Sequence, residues 1–343
     1  MLADAYGDDM AVISPHSTAG NAGEELGPLR VAHGTSGRVY QMLQTARIVA
    51  SGRLADTFPM YGHPYLAVGA RVMRKQYGLF VHGGEMSSSW LGRLAFRWLV
   101  DGAELIVAGS SATRDRWLKD CRAPVVVIRP GINRIAMGGD NALPNCRQDG
   151  SNIDVIIVAR LVRRKNVAQT VTAMCKVADR LTNMSLTIHV VGDGPCRDEV
   201  DRCAEGRSDV VVHGFVSDDE LNGLYRKCDL FVLCASEIPG NEGWEGFGIV
   251  YLEAAAWGLS VIAMESGGVG EACSNDGSVM VPAGEWGAFQ AEFEKLLLDG
   301  ARRERMGRAN LIWAAENDWG ARAELLDQSV RSVLGEGRVE RVQ

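Results

Sequence analysis

Along the second half of the chain, short apolar runs alternate with longer stretches whose apolar residues recur every three or four positions. The runs at 154–158, 186–191, 210–213, 229–233, 260–264 and 278–281 read as strands. The stretches at 167–181, 197–205, 219–227, 249–257 and 285–298 read as helices between them. Ser217 followed by Glu220 has the spacing of a helix capping box. Regular strand–helix alternation predicts an α/β domain with a doubly wound parallel sheet, whose ligands lie at the carboxyl ends of the strands.

The first half repeats the theme less regularly, with strands at 10–14, 79–82, 104–108 and 125–128 and helices at 38–50, 64–75, 90–100 and 112–119. A stretch rich in Gly, Asn, Asp and Pro at 138–151 reads as a linker, and a last helix spans 319–334. At 343 residues the chain exceeds the usual size of one core. The expected organisation is an N-terminal Rossmann-like domain over 1–137, the linker at 138–151, a C-terminal domain over 152–318, and a helix and tail over 319–343.

Composition narrows the function classes. A formal net charge of −7 argues against broad nucleic-acid binding and leaves room for an anionic ligand at a local basic site. The eight cysteines contain no CxxC pair and lie mostly in apolar segments, as reduced thiols of a cytoplasmic protein do. The first residues are acidic, unlike a signal peptide, and no apolar run is long enough to span a bilayer. The aromatic and basic segment 90–99 reads first as a core-packing amphipathic helix, and second as peripheral membrane contact.

Six places carry candidate chemistry. Arg160, Arg163, Arg164 and Lys165 follow the strand at 154–158 and form a candidate diphosphate grip; alone, such a run is also what a solvated turn looks like. Gly192-Asp193-Gly194 makes a tight turn after the next strand, where glycine would let a ligand approach the backbone. Phe215 and Val216, at the end of a third, could flank a flat base. Glu245 stands in a loop with Gly246, Phe247 and Gly248, and Glu253 about two turns into the helix this loop opens. That arrangement offers a helix N-terminus and two acceptors for hydroxyl groups. Gly267-Gly268 and Glu271 form a second glycine-opened helix start, and His82 ends a strand just before Gly83-Gly84.

Taken in order, these pieces resemble the family 4 retaining glycosyltransferases of the GT-B fold, in which two Rossmann-like doubly wound domains face a cleft. The match rests on Arg160-Leu161 through Lys165, Gly192-Asp193-Gly194, Gly214-Phe215-Val216, Glu245-Gly246-Phe247-Gly248 with Glu253, and Gly267-Gly268 with Glu271. The resemblance implies transfer of a hexose-type sugar from a nucleoside-diphosphate sugar, UDP- or GDP-linked, to an acceptor hydroxyl in glycan, glycolipid or small-molecule glycoside biosynthesis. It implies that Arg160 and Lys165 hold the diphosphate and that Glu245, with the Gly246-Phe247-Gly248 backbone, holds sugar hydroxyls. Glu253 would take the ribose, Phe215 and Val216 the base, and His82 the donor sugar. The final helix would cross back onto the N-terminal domain. No bound cofactor beyond the donor and no metal is expected. The acceptor class, whether a sugar, a lipid-linked glycan or a small molecule, is not written in the residues.

One departure stands out. Only about 80 residues precede His82, so the N-terminal domain reads as shortened. Either the usual first strand and its glycine loop are missing, or 10–14 is that strand with a compressed loop at 20–23. A shortened homologue could hold a nucleotide sugar without turning it over, or serve as a subunit of a transferase complex. That is the alternative to an active enzyme.

Overall fold

The computed structural model describes residues 58–84, 89–133, 152–181, 184–238 and 243–334. The expected strand at 10–14, the helix at 38–50, the compressed loop and the linker at 138–151 all lie outside them. The chain divides into two compact units, one of residues up to 129 together with those from 319 onward, the other of residues 130–318.

In the first unit, β1 (Met60–Tyr61), β2 (Gly78–Val81), β3 (Leu105–Ala108) and β4 (Val125–Val127) form a parallel sheet in that order. Between them come α1 (Val68–Val72), α2 (Trp90–Val100) and α3 (Ser111–Thr113). Strand alternation divides the side chains cleanly. Ile106 and Ala108 pack with Leu79, Val81, Phe96 and Leu99 on the α2 face. Leu105 and Val107 pack on the other face with Ile128 and with Leu326 of α11 (Trp319–Leu334). The helix expected over 64–75 is instead a 3₁₀ turn, Pro64–Ala67, followed by α1, and the one over 112–119 is α3 running into a π turn at Arg114–Leu118. Pro64 at the start of the first explains its tighter opening.

In the second unit the strands are β5 (Asn152–Val158), β6 (Ser185–Val191), β7 (Val210–Gly214), β8 (Leu230–Leu233), β9 (Ser260–Met264) and β10 (Ser278–Val281). All pair in parallel, in the order β10-β9-β8-β5-β6-β7. Every residue of β8 and β9 is buried, which is why both read as unbroken apolar runs. The connecting helices are α4 (Val167–Ala178), α5 (Arg197–Ala204), α6 (Asp218–Lys227), α7 (Ile249–Ala256), α8 (Val269–Ala272), α9 (Trp286–Leu298) and α10 (Gly300–Glu316). The capping box of Ser217 and Glu220 opens α6. Sequence periodicity did not reveal α10; its run of Arg and Glu hides a buried Arg303, whose guanidinium donates to the carbonyls of Leu296 and Leu297 at the end of α9.

A polar chain crosses the buried sheet. Asp154 Oδ1 of β5 lies 3.0 Å from His189 Nε2 of β6, and His189 Nδ1 lies 2.9 Å from His213 Nε2 of β7. Lys227 Nζ stands 3.1 Å from the same Asp154 oxygen. Asp154 N also donates to the Asp229 side chain, at Oδ2, at 3.0 Å, and Asp229 N donates to Asp154 O at 2.8 Å.

Candidate active site

Strand order reverses direction between β5 and β8, since β5 pairs with β6 on one side and β8 on the other. A parallel sheet opens a crevice beyond the carboxyl ends of its strands at such a point. The segments that leave β5 and β8 there carry the cations and Glu245.

Beyond β5 the backbone is pinned before it turns. Ala159 N donates to Val191 O at 3.0 Å and Leu161 N to Asp193 O at 2.9 Å. Gly192 and Gly194 make this approach possible: a Cβ on the first would stand 1.9 Å from Ala159 O and on the second 2.4 Å from Leu161 O. These glycines therefore serve a contact between two strand ends, a tighter use than the ligand approach their sequence suggests. A 3₁₀ turn, Arg163–Lys165, follows, closed by Asn166 in the left-handed region at φ 49°.

That turn brings its last two side chains onto one atom. Lys165 Nζ lies 2.5 Å and Arg164 Nη1 2.6 Å from Glu245 Oε2. Lys165 and Glu245 are buried, and Arg164 half-buried. Burial pushes the Lys165 ammonium below its ordinary pKa, against the pull of the Glu245 charge and its hydrogen bond. The Glu245 loop is fixed from behind. Gly268 N donates to Glu245 O at 2.8 Å, and Gly267, at φ +53°, leaves no room for a Cβ, which would lie 2.2 Å from that same carbonyl oxygen.

Glu253 sits on α7, which Gly248 opens at φ 88°. Because α7 begins at Ile249, Glu253 stands just over one turn into the helix, not two. Its half-buried carboxyl accepts from Tyr225 Oη at 3.4 Å. Burial raises its pKa, the Tyr225 bond working the other way.

The remaining candidates are placed as follows. Arg160 is exposed and takes part in no ion pair among the described residues, while Arg164 joins Lys165 on Glu245. Gly246 is half-buried beside Glu245, while the Phe247 side chain belongs to the hydrophobic core, leaving only its backbone to face a ligand. Phe215 is 88% exposed beyond β7, and Val216 is half-buried against the core. His82 lies in the other unit, exposed at the end of β2, its ring stacked on Phe80 with centroids 6.3 Å apart. Sequence reasoning named Arg164 only as part of the basic run and missed Tyr225 and Ser266. The last has a buried hydroxyl with no hydrogen-bond partner among the described residues, next to the glycine that backs Glu245. Among the described residues no group of three or more His, Cys, Asp or Glu could hold a metal ion.

The comparisons with known proteins agree with this architecture. Residues 145–312 match the family model of the glycosyl transferases group 1. The chain is 31% identical over 263 residues to a GDP-mannose-dependent alpha-(1-6)-phosphatidylinositol monomannoside mannosyltransferase of Mycobacterium tuberculosis, covering 73% of this chain and 68% of that protein. It is 27% identical over 252 residues to a D-inositol 3-phosphate glycosyltransferase of Corynebacterium jeikeium, covering 68% and 58%. Sucrose-phosphate synthase from Thermosynechococcus elongatus superposes with a TM-score of 0.75 at 17% identity, over 98% of this chain and 92% of that one. Anabaena HepE, solved with UDP and glucose, gives 0.70 at 19% identity, over 89% and 86%. The chain thus belongs to the group 1 glycosyl transferases: it is a glycosyltransferase of the GT-B fold, built from two parallel-sheet α/β domains.

Proposed function

We propose that the protein is a retaining hexosyltransferase of family 4 that moves a sugar from a nucleoside-diphosphate donor, GDP-mannose foremost, to a hydroxyl of a lipid-linked acceptor. The observation that carries this reading is the shared contact of Arg164 and Lys165 with Glu245 Oε2 at the strand-order reversal. Without a donor, the single carboxylate offsets one of the two positive charges. A diphosphate entering beside them competes for the same ammonium and guanidinium protons and offers more acceptor oxygens. Glu245 is then released toward the sugar hydroxyls, with the Gly246-Phe247-Gly248 backbone beside it. When the bond between the anomeric carbon and the phosphate breaks, the electron pair leaves with the diphosphate. Fixed cations stabilise that charge without reorganising solvent. Arg160, exposed just before the same turn, holds the diphosphate together with Lys165, and the exposed Arg163 adds to the field. Glu253 accepts from the ribose, Phe215 and Val216 border the base, and His82 serves the donor sugar.

The donor assignment rests on the mycobacterial relative, named as GDP-mannose-dependent, and the acceptor assignment on its phosphatidylinositol mannoside. The seven described cysteines are all free, which supports work in a reducing cytoplasm, and among the described residues no helix is long and apolar enough to cross a membrane. Titration calorimetry with GDP, UDP, ADP and dTDP, followed by transfer of labelled mannose from GDP-mannose to phosphatidylinositol mannosides, tests the reading. GDP should bind most tightly and label should enter the lipid. Binding without transfer to any acceptor would favour a non-catalytic nucleotide-sugar module, and failure of all four nucleotides to bind would overturn both.

A further inference from the structure

Helix α2 is apolar on two sides. Phe96, Leu99 and Val100 are buried against the sheet, while Trp90, Leu91, Leu94 and Trp98 are 64, 61, 57 and 43% exposed. At 100° per residue these four fall on one face, with Arg93 and Arg97 along its edge. On neighbouring α1, Val72 is 66% exposed, and Arg71 reaches across to Trp98, its guanidinium 5.2 Å from the indole ring. Arg74 and Lys75, directly after α1, are exposed as well. The helix itself contains no acidic residue, and Asp101 directly after it pairs with Arg97 at 2.8 Å, leaving Arg93 as the exposed cation of its rim. From residue 58 to 133 the chain carries ten Lys and Arg against five Asp and Glu, within a protein of net charge −7.

We propose that this face docks on an anionic lipid bilayer, with the Trp and Leu side chains entering the headgroup boundary and the cations meeting acidic lipids. Tryptophan favours that boundary, a basic rim favours negative headgroups, and the two together give binding that neither gives alone. A second copy of the chain fits less well, because it would bring the same basic rim and no acidic residue of the helix to meet it. The inference stands on the surface alone and not on the identity of the donor; were the lipid acceptor right, it would bring the enzyme to its substrate.

Co-sedimentation of the full chain with phosphatidylcholine vesicles, with and without 30% phosphatidylglycerol, tests it. Binding is expected to the anionic vesicles, to be weakened at 1 M salt, and to fall about tenfold or more in Leu94→Glu and Arg93→Glu. Ile312→Glu, an exposed apolar position in the other unit, serves as the control and should bind like the parent. Thermal melts with GDP separate this from the sugar chemistry, since both α2 variants should keep the shift that GDP produces in the parent. No binding to anionic vesicles overturns the proposal. So does equal binding by Leu94→Glu and the parent, the result expected if this chain or a second copy covers the face.

Discussion

Two cations resting on one carboxylate oxygen make the site asymmetric under mutation. Glu245→Ala leaves Arg164 and Lys165 facing each other without an anion, in a place where Lys165 is already held below its ordinary pKa by burial. Breaking a buried pair in this way should cost about 3 kcal/mol or more. Lys165→Ala leaves Glu245 with Arg164 and should cost less. Melting curves of the two variants will rank them, and a diphosphate nucleotide should restore more of the loss in Glu245→Ala than in Lys165→Ala, because it replaces the missing anion. Both should lower transfer by about 10²-fold or more, the scale of losing one preorganised group at a developing charge. Glu253 predicts the opposite trade. Its pKa is raised by burial, so the folded state holds a proton that the unfolded chain releases near its ordinary value of 4.5. Stability is therefore full below that value and declines as pH climbs through the window up to the raised folded value. Glu253→Gln should remove this decline, raising the melting temperature at neutral pH, while weakening GDP binding about tenfold if the carboxylate serves the ribose.

At the scale of elements, the glycine turns decide whether the loops can hold the site. Gly267→Ala should displace the Glu245 backbone and reduce both stability and transfer, because its Cβ would meet that carbonyl and the Trp244 ring at 2.2 and 2.9 Å. Gly284→Ala is the matched control: φ is +81° but the space around it is open, so it should cost only about 1–2 kcal/mol of backbone strain and leave kcat alone. The β5-β6-β7 polar chain has its own pH signature. The His213 pKa is lowered by burial first, then by His189 and Lys227, with Glu220 opposing. The unfolded chain thus takes up a proton near 6.5 that the folded sheet refuses; stability should be full above that value and fall as pH drops below it. His213→Gln should flatten this dependence in melts between pH 5 and 8.

β8 and β9 of the second unit were legible because their burial is written as unbroken apolar runs; β9 falls where the pattern put it, and so does the mostly half-buried β10. The capping box was legible because it is local. Less visible were β1, two residues long, and α10, whose polar surface masks the one arginine it buries. That Arg164 joins Lys165 on Glu245 was invisible too, since it depends on how a 3₁₀ turn rotates successive side chains relative to a loop 81 residues away. For the molecule as a whole, the nucleotide site proposed within residues 130–318, which have their own core, makes a calorimetric prediction. GDP at a hundred times its Kd should stabilise that unit by about 2.7 kcal/mol and leave the melting of the other unit in place. A scan that resolves two transitions, with only one of them moving, would bear this out.

The shared oxygen of Glu245 also bears on the order in which partners load. While the basic pair is engaged with it, the acid is not free to greet a passing hexose. Free mannose or glucose, however abundant, should leave the resting protein untouched, and only a sugar that arrives carrying its own phosphates can unlock the hand that will hold it.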